Sequence, residues 1–290
     1  MVSKHADLEG PVHYLDGGGS GQPLVCVHGL SGSALNWMAV GPALAERHRV
    51  LALDLRGFGK TPMGAGARLH DNRHLLDLFL RRVVGGPAVV AGNSMGGLLA
   101  VLQAAAAPET VSSLVLVDPA LPWRGHRPFD PSLWTFFGAL LLPLLGEATL
   151  GWNGHRLGPE RVVYGVLDAC SVDSSRIPYD MVQALVDQEA ERFASPRSFR
   201  ALAQASRSLL WAMGRRGLMG TYARVEAPTL IVHGEKDRLV PAAFSVAIGG
   251  TFGWHVEVLP NVGHAPMMEV PADFVRIALG WLESHEPAAA

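Results

Sequence analysis

The sequence predicts an α/β fold: a mostly parallel β-sheet flanked by helices, with a helical segment inserted between two of its strands. Three observations carry this. Short apolar, β-branched runs alternate with helically spaced segments through residue 119, the arrangement that builds parallel sheets with right-handed crossovers. The alternation then stops, and residues 120–221 contain only helical segments broken by Pro122, Pro128, Pro131, Pro143, Pro159 and Pro178. Strand patterns resume at 229–234 and 256–260, and residues 271–283 close the chain as a helix. At 290 residues and 49% hydrophobic, the chain is long and apolar enough to bury a full core.

In chain order, the first strands are expected at 12–15 and 24–27, joined by the glycine-rich turn 16–21. His28-Gly29-Leu30-Ser31 follows, then a helix at about 36–47 and a strand at 50–53 ending in Asp54-Leu55-Arg56-Gly57-Phe58-Gly59-Lys60-Thr61. The Gly- and Ala-rich segment 63–68 reads as a mobile loop. Residues 75–84 have helical spacing and lead into the apolar run Ala88-Val89-Val90-Ala91, after which Gly92-Asn93-Ser94-Met95-Gly96 turns into a helix at 98–107. A strand at 114–117 ends in Asp118-Pro119. The most apolar stretch, 133–145, is too short to span a bilayer. It is expected to pack the insertion onto the core and in part to line an acyl pocket.

Composition excludes several classes. A net charge of −2 and a pI near 6.6 give no electrostatic case for nucleic acid or an anionic membrane surface. No run has the length of a membrane span and the first residues lack a signal-peptide core, so a cytoplasmic location is expected. Cys26 and Cys170 read as buried free thiols, no Cys/His spacing suggests zinc, and neither cofactor nor metal is expected.

The chemistry centres on Ser94. A sharp strand-to-helix turn leaves no room for side chains beside the serine, so glycines at 92 and 96 are what sterics require. The helix that follows offers backbone N–H groups to a developing oxyanion. A serine hydroxyl needs a base. Among twelve histidines, His264 stands in a loop just after the last strand, at the sheet edge where Ser94 emerges. The acid that orients it is expected to be Asp237, in the turn after strand 229–234, with Asp118 as competitor because it too ends a strand. The N–H groups of Leu30 and Met95 are the expected oxyanion donors.

Together, His28-Gly29, the 54–61 motif, Gly92-Asn93-Ser94-Met95-Gly96-Gly97, Gly234-Glu235-Lys236-Asp237-Arg238-Leu239-Val240-Pro241 and Gly263-His264-Ala265-Pro266-Met267-Met268-Glu269 resemble the α/β-hydrolase superfamily, in a form with a helical cap. The resemblance implies an α/β-hydrolase fold, with core at 1–119 and 222–290 and a cap at 120–221. It implies Ser94 as nucleophile, His264 as base, Asp237 as acid, and Leu30 and Met95 as oxyanion donors. Serine at 94 departs from the similar epoxide hydrolases and haloalkane dehalogenases, which carry aspartate there. Asn93 is similar to the hydrolases that cleave carbon–carbon bonds of ring-fission diketones, but Leu30-Ser31-Gly32-Ser33 lacks their Gly-Pro-Gly oxyanion loop, and the Gly-Gly-Gly lipase loop is not matched either. The expected activity is hydrolysis of a small, neutral, hydrophobic carboxylic ester. Carbon–carbon hydrolysis, cofactor-free perhydrolysis and a non-catalytic small-molecule receptor are the alternatives.

Overall fold

Among the described residues, eight strands form one sheet in the order β1-β2-β4-β3-β5-β6-β7-β8. They are β1 Val2–Asp7, β2 Pro11–Gly18, β3 Pro23–Val27, β4 Arg49–Leu53, β5 Ala88–Asn93, β6 Val111–Val117, β7 Thr229–Gly234 and β8 His255–Leu259. The computed structural model describes residues 1–122, 145–193 and 195–285. The apolar stretch 133–145 lies, but for its last residue, outside them.

β2 runs antiparallel to β1 and β4, and β4, β3, β5, β6, β7 and β8 are parallel. The inner strands are apolar on both faces because both are covered. Val25, Val27, Val90, Leu114, Leu116 and Ile231 face one core cluster, and Leu24, Cys26, Val89, Ala91, Val115 and Val232 the other. Register places Val27 beside Gly92, Asn93 beside Val117, and Val117 beside Val232. The loops leaving β3, β5, β6 and β7 therefore start side by side.

Among the described residues the α-helices are α1 Gly41–Leu44, α2 Leu69–Phe79, α3 Met95–Ala106, α4 Leu145–Leu157, α5 Pro159–Cys170, α6 Tyr179–Phe193, α7 Pro196–Gly214, α8 Leu218–Tyr222, α9 Ala242–Phe252, α10 Pro266–Glu269 and α11 Pro271–His285. None among the described residues is long and apolar enough to cross a membrane. α2 and α3 cover one face of the sheet, and α11 packs with Trp37 against the other.

Three local expectations are corrected. The helix expected at 36–47 is a 3-10 turn, Ala34–Trp37, followed by the short α1, because Gly41-Pro42 breaks the helical run. The loop 63–68 is tied down: Ala67 is buried, its N–H donates to Gln204 Oε1 of α7, and Asn72 Nδ2 donates to its carbonyl. The helix read as 75–84 starts earlier, at Leu69, and its last residues, Leu80–Val84, widen into a π turn closed by Gly85 at φ 78°. β1 was not expected; it is an exposed, polar edge strand with no apolar signal.

α4–α8 fall between β6 and β7. Tyr222 is wholly buried and its hydroxyl donates to the Ala120 carbonyl at 3.2 Å, clasping the two ends of this insertion. A second seam joins it to the segment after β8. The buried Glu269 carboxylate accepts the N–H groups of Val172, Asp173 and Gly263 and an Arg176 N–H, at 2.8–3.2 Å. His264 N–H donates to the Cys170 carbonyl.

Two stability outcomes follow. Leu116→Ala, in the middle of the sheet, should cost about 2–5 kcal/mol and lower the urea midpoint without changing the slope. Glu269→Ala leaves its donors without an acceptor and should cost roughly 3–5 kcal/mol, with amide exchange at Gly263 accelerating more than exchange in β5.

Candidate active site

The turn after β5 is strained and over-determined. Ser94 adopts φ 53°, ψ −115°, a conformation that costs a non-glycine residue about 1–3 kcal/mol. Its N–H donates to Val117 O at 2.9 Å, and its carbonyl accepts from Leu98 and Ala120. A Cβ at Gly96 would collide with the carbonyls of Val27 and His28, so only glycine lets α3 start this close to the end of β3. Ser94 is half-buried.

The turn after β3 lies against it. A Cβ on Gly29 would stand 3.1 Å from Ser94 Cβ and 2.9 Å from Asn93 Oδ1. His28, wholly buried, donates from Nδ1 to Gly29 O at 2.7 Å, and its Nε2 accepts Leu55 N–H at 3.0 Å. Those partners fix one neutral tautomer, and burial, the largest influence, keeps its pKa below the usual histidine value. Among the described residues, neither Leu30 N–H nor Met95 N–H has a hydrogen-bond acceptor, and Met95 heads α3 where no preceding carbonyl can serve it.

Asp237 and His264 meet. Asp237 Oδ1 accepts Leu239 and Val240 N–H at 2.7 and 3.0 Å, which leaves Oδ2 to accept His264 Nδ1–H at 2.7 Å. Both side chains are buried. Burial alone would raise the Asp237 pKa, but the charge and hydrogen bond of His264, with the His233 ring alongside, outweigh it and hold the carboxyl well below its usual range. Asn93 Nδ2 donates to both Val117 O and His264 O at 3.1 Å, pinning the His264 loop to the serine turn. No hydrogen bond joins Ser94 Oγ to His264 among the described contacts.

Asp118 reaches the same place. Wholly buried and held at φ 44°, it accepts Gly234 N–H on Oδ1 at 2.9 Å. Burial drives its pKa well above the carboxylate range. His233 Nε2 donates to Val240 O at 2.8 Å and lies 3.2 Å from Asp237 Oδ2 and 3.4 Å from Asp118 Oδ1. The two carboxyls draw the His233 pKa upward against its burial. Ligand-type atoms of Asp118, Asp237 and His264 lie within 4.8 Å of one another. Since a carboxylate can only accept, His264 turns a proton toward Asp237 and not a lone pair. His264 thus offers Asp237 a hydrogen-bond donor and not the lone pair a cation would need.

The structure thus brings Ser94, Asp237, His264, Leu30 and Met95 to one edge. It also shows residues that sequence reasoning missed. Arg192 of α6 is buried beside the turn after β3: it donates to Ser31 O at 3.3 Å and Glu189 Oε2 at 2.9 Å, and its guanidinium carbon stands 5.8 Å from the Phe58 ring centre. A Glu–Arg pair three residues apart is common on any solvated helix, so the sequence held no signal for it. Asp118 was not missed: its place at a strand end made it the competitor for the acid.

A profile of the alpha/beta hydrolase family matches residues 24–277. The chain is 28% identical over 280 residues, 93% of its length and 86% of the relative's, to a 2-hydroxy-6-oxo-6-(2'-aminophenyl)hexa-2,4-dienoic acid hydrolase of Metapseudomonas resinovorans. It is 28% identical over 262 residues, 89% of its length and 76% of the relative's, to Lipase 1 of Psychrobacter immobilis. Its fold is similar to that of a membrane phospholipase A described as a bacterial virulence factor, with a TM-score of 0.77 and 25% identity over 99% of this chain and 87% of the other. With its parallel sheet, its strained serine turn and a match that runs from β3 into α11, the chain belongs to the alpha/beta hydrolase family.

Proposed function

We propose that this hydrolase cleaves a small, neutral, hydrophobic carboxylic ester through an acyl-enzyme, with Ser94 as nucleophile, His264 as general base and Asp237 as its acid partner. The observation that carries the reading is the buried Asp237–His264 hydrogen bond of 2.7 Å at the edge where the strained Ser94 turn emerges. His264 Nε2 takes the Ser94 proton as Oγ attacks the ester carbonyl. The carbonyl π electrons move to oxygen, and the Leu30 and Met95 N–H groups hold the oxyanion. Collapse expels the alcohol, protonated by His264, and a water activated by the same imidazole releases the acid. Asp237 keeps the ring oriented and stabilises the imidazolium. The insertion serves as the cap over this edge.

A second reading is cleavage of a carbon–carbon bond in a 6-oxo dienoic acid, the kind of substrate named for the Metapseudomonas relative. Arg192 favours it. A buried guanidinium beside the oxyanion turn suits a substrate that carries its own carboxylate, and charge-assisted pairing is worth about 1.5–3 kcal/mol. A non-catalytic receptor would have no need of an ordered acid–base pair beside a strained serine.

Ser94→Ala should lower turnover of p-nitrophenyl acyl esters by roughly 10⁵-fold or more while the circular dichroism spectrum stays unchanged; retained turnover would remove Ser94 as the nucleophile, and no labelling of wild-type Ser94 by a fluorophosphonate would argue for the receptor. A panel of neutral esters and 6-oxo dienoic acids separates the two hydrolytic readings. In that panel Arg192→Met should raise KM for the acids about ten- to a hundredfold and leave the esters nearly unchanged.

A further inference from the structure

The pair Asp118–Asp237 places two carboxyl groups in one dry site, and like charges so close cannot both ionise. The groups facing Asp118 are His233 on β7, Asp237 in the following turn, His264 in the loop after β8 and Cys170 at the end of α5. Their hydrogen bonds decide where the proton sits. Asp237 accepts from every side: Leu239 N–H, Val240 N–H and His264 Nδ1–H all point at it, as an ionised carboxylate requires. Asp118 has Gly234 N–H on Oδ1, while its buried Oδ2 has no donor among the described residues. His233 does not supply the missing positive charge. Its Nε2–H goes to the Val240 carbonyl, and the buried Ser245 hydroxyl, 2.7 Å from Nδ1, has that nitrogen as its hydrogen-bond acceptor among the described residues. An imidazolium would fill Nδ1 with a proton and strand the Ser245 hydroxyl.

We propose that Asp118 is held as a neutral carboxylic acid whose Oδ2 proton is donated to Asp237, so that a hydrogen-bonded pair of acids, and not a lone carboxylate, orients His264. The desolvation that lifts Asp118 supports the same assignment. Asp118 is then a positioning residue acting through Asp237. Its donated proton draws charge from Asp237, which moderates how strongly the imidazolium is held, and its strained backbone at φ 44° fixes the donor. The placement of the proton rests on the resting protein; its consequence for reactivity rests on His264 being the base.

The two parts are tested separately. Isotope-edited infrared spectra of aspartate-labelled protein at pH 8 should contain one protonated-carboxyl band in the wild type and none in Asp118→Asn; its absence from the wild type overturns the proposal whatever the enzyme does. The pH dependence of fluorophosphonate labelling at Ser94 tests the role. Asp118→Asn replaces one neutral donor by another, so its acid limb should coincide with that of the wild type. Asp118→Ala removes the donor, lets Asp237 hold the imidazolium more tightly, and should move the acid limb to higher pH with labelling slowed about tenfold or more. An ionised Asp118 would give the opposite sign, the Asn variant moving the limb to lower pH, and a purely structural residue would slow labelling with no movement. Either result refutes the assignment. If wild-type Ser94 does not label at all, the base reading falls, and the infrared band still decides Asp118.

Discussion

Everything at the candidate site depends on how closely the β5–α3 turn approaches the ends of β3 and β6. Ser94 stays in its strained conformation because backbone hydrogen bonds from β6 and from Ala120 hold it and because Gly96 has no Cβ to push β3 away. Those contacts exist only while the parallel register keeps Val27, Gly92 and Val117 abreast. The sheet therefore does more than carry the loops. It sets the ångström-scale spacing between the serine, the N–H groups of the neighbouring turn and the loop that bears His264.

Around this point the chain buries several acids, and Asp54, Asp237 and Glu269 each accept backbone amides of loops that would otherwise be free to drift. Asp54 accepts Ala34 N–H and Lys60 N–H and pairs with His13 at 2.6 Å, anchoring the loops after β3 and β4. Asp237 folds its own turn, and Glu269 joins the His264 loop to the insertion. Buried carboxylates are costly unless fully hydrogen-bonded, so loops that supply the donors are specified as tightly as strands. The arrangement is one of irregular segments held by polar networks, on a sheet held by apolar packing.

Much of this was legible in the sequence, and what was not has a physical reason. The β-branched runs at 24–27, 50–53, 88–91 and 229–234 read correctly because strands buried on both faces leave a nearly continuous apolar signal. The residues brought to the edge were legible through turn chemistry: glycine beside Ser94, and a strand ending just ahead of Asp237 and His264. β1 was not, because an edge strand that faces water carries no apolar pattern. The loop 63–68 looked mobile because glycine and alanine have no local preference, and its order comes from α7, far along the chain. Arg192 and the pairing of Asp118 with Asp237 were hidden for a related reason: both are tertiary juxtapositions of common residue types.

The Tyr222–Ala120 clasp has a further consequence. Because the insertion leaves and rejoins the sheet at points bridged by one side chain, the helices between them close a loop whose ends are already together, and closure entropy grows only slowly with length. Residues can be added to or removed from that stretch with little penalty to β6 and β7. The fold separates a part in which variation in length is punished at once from a part in which it is nearly free.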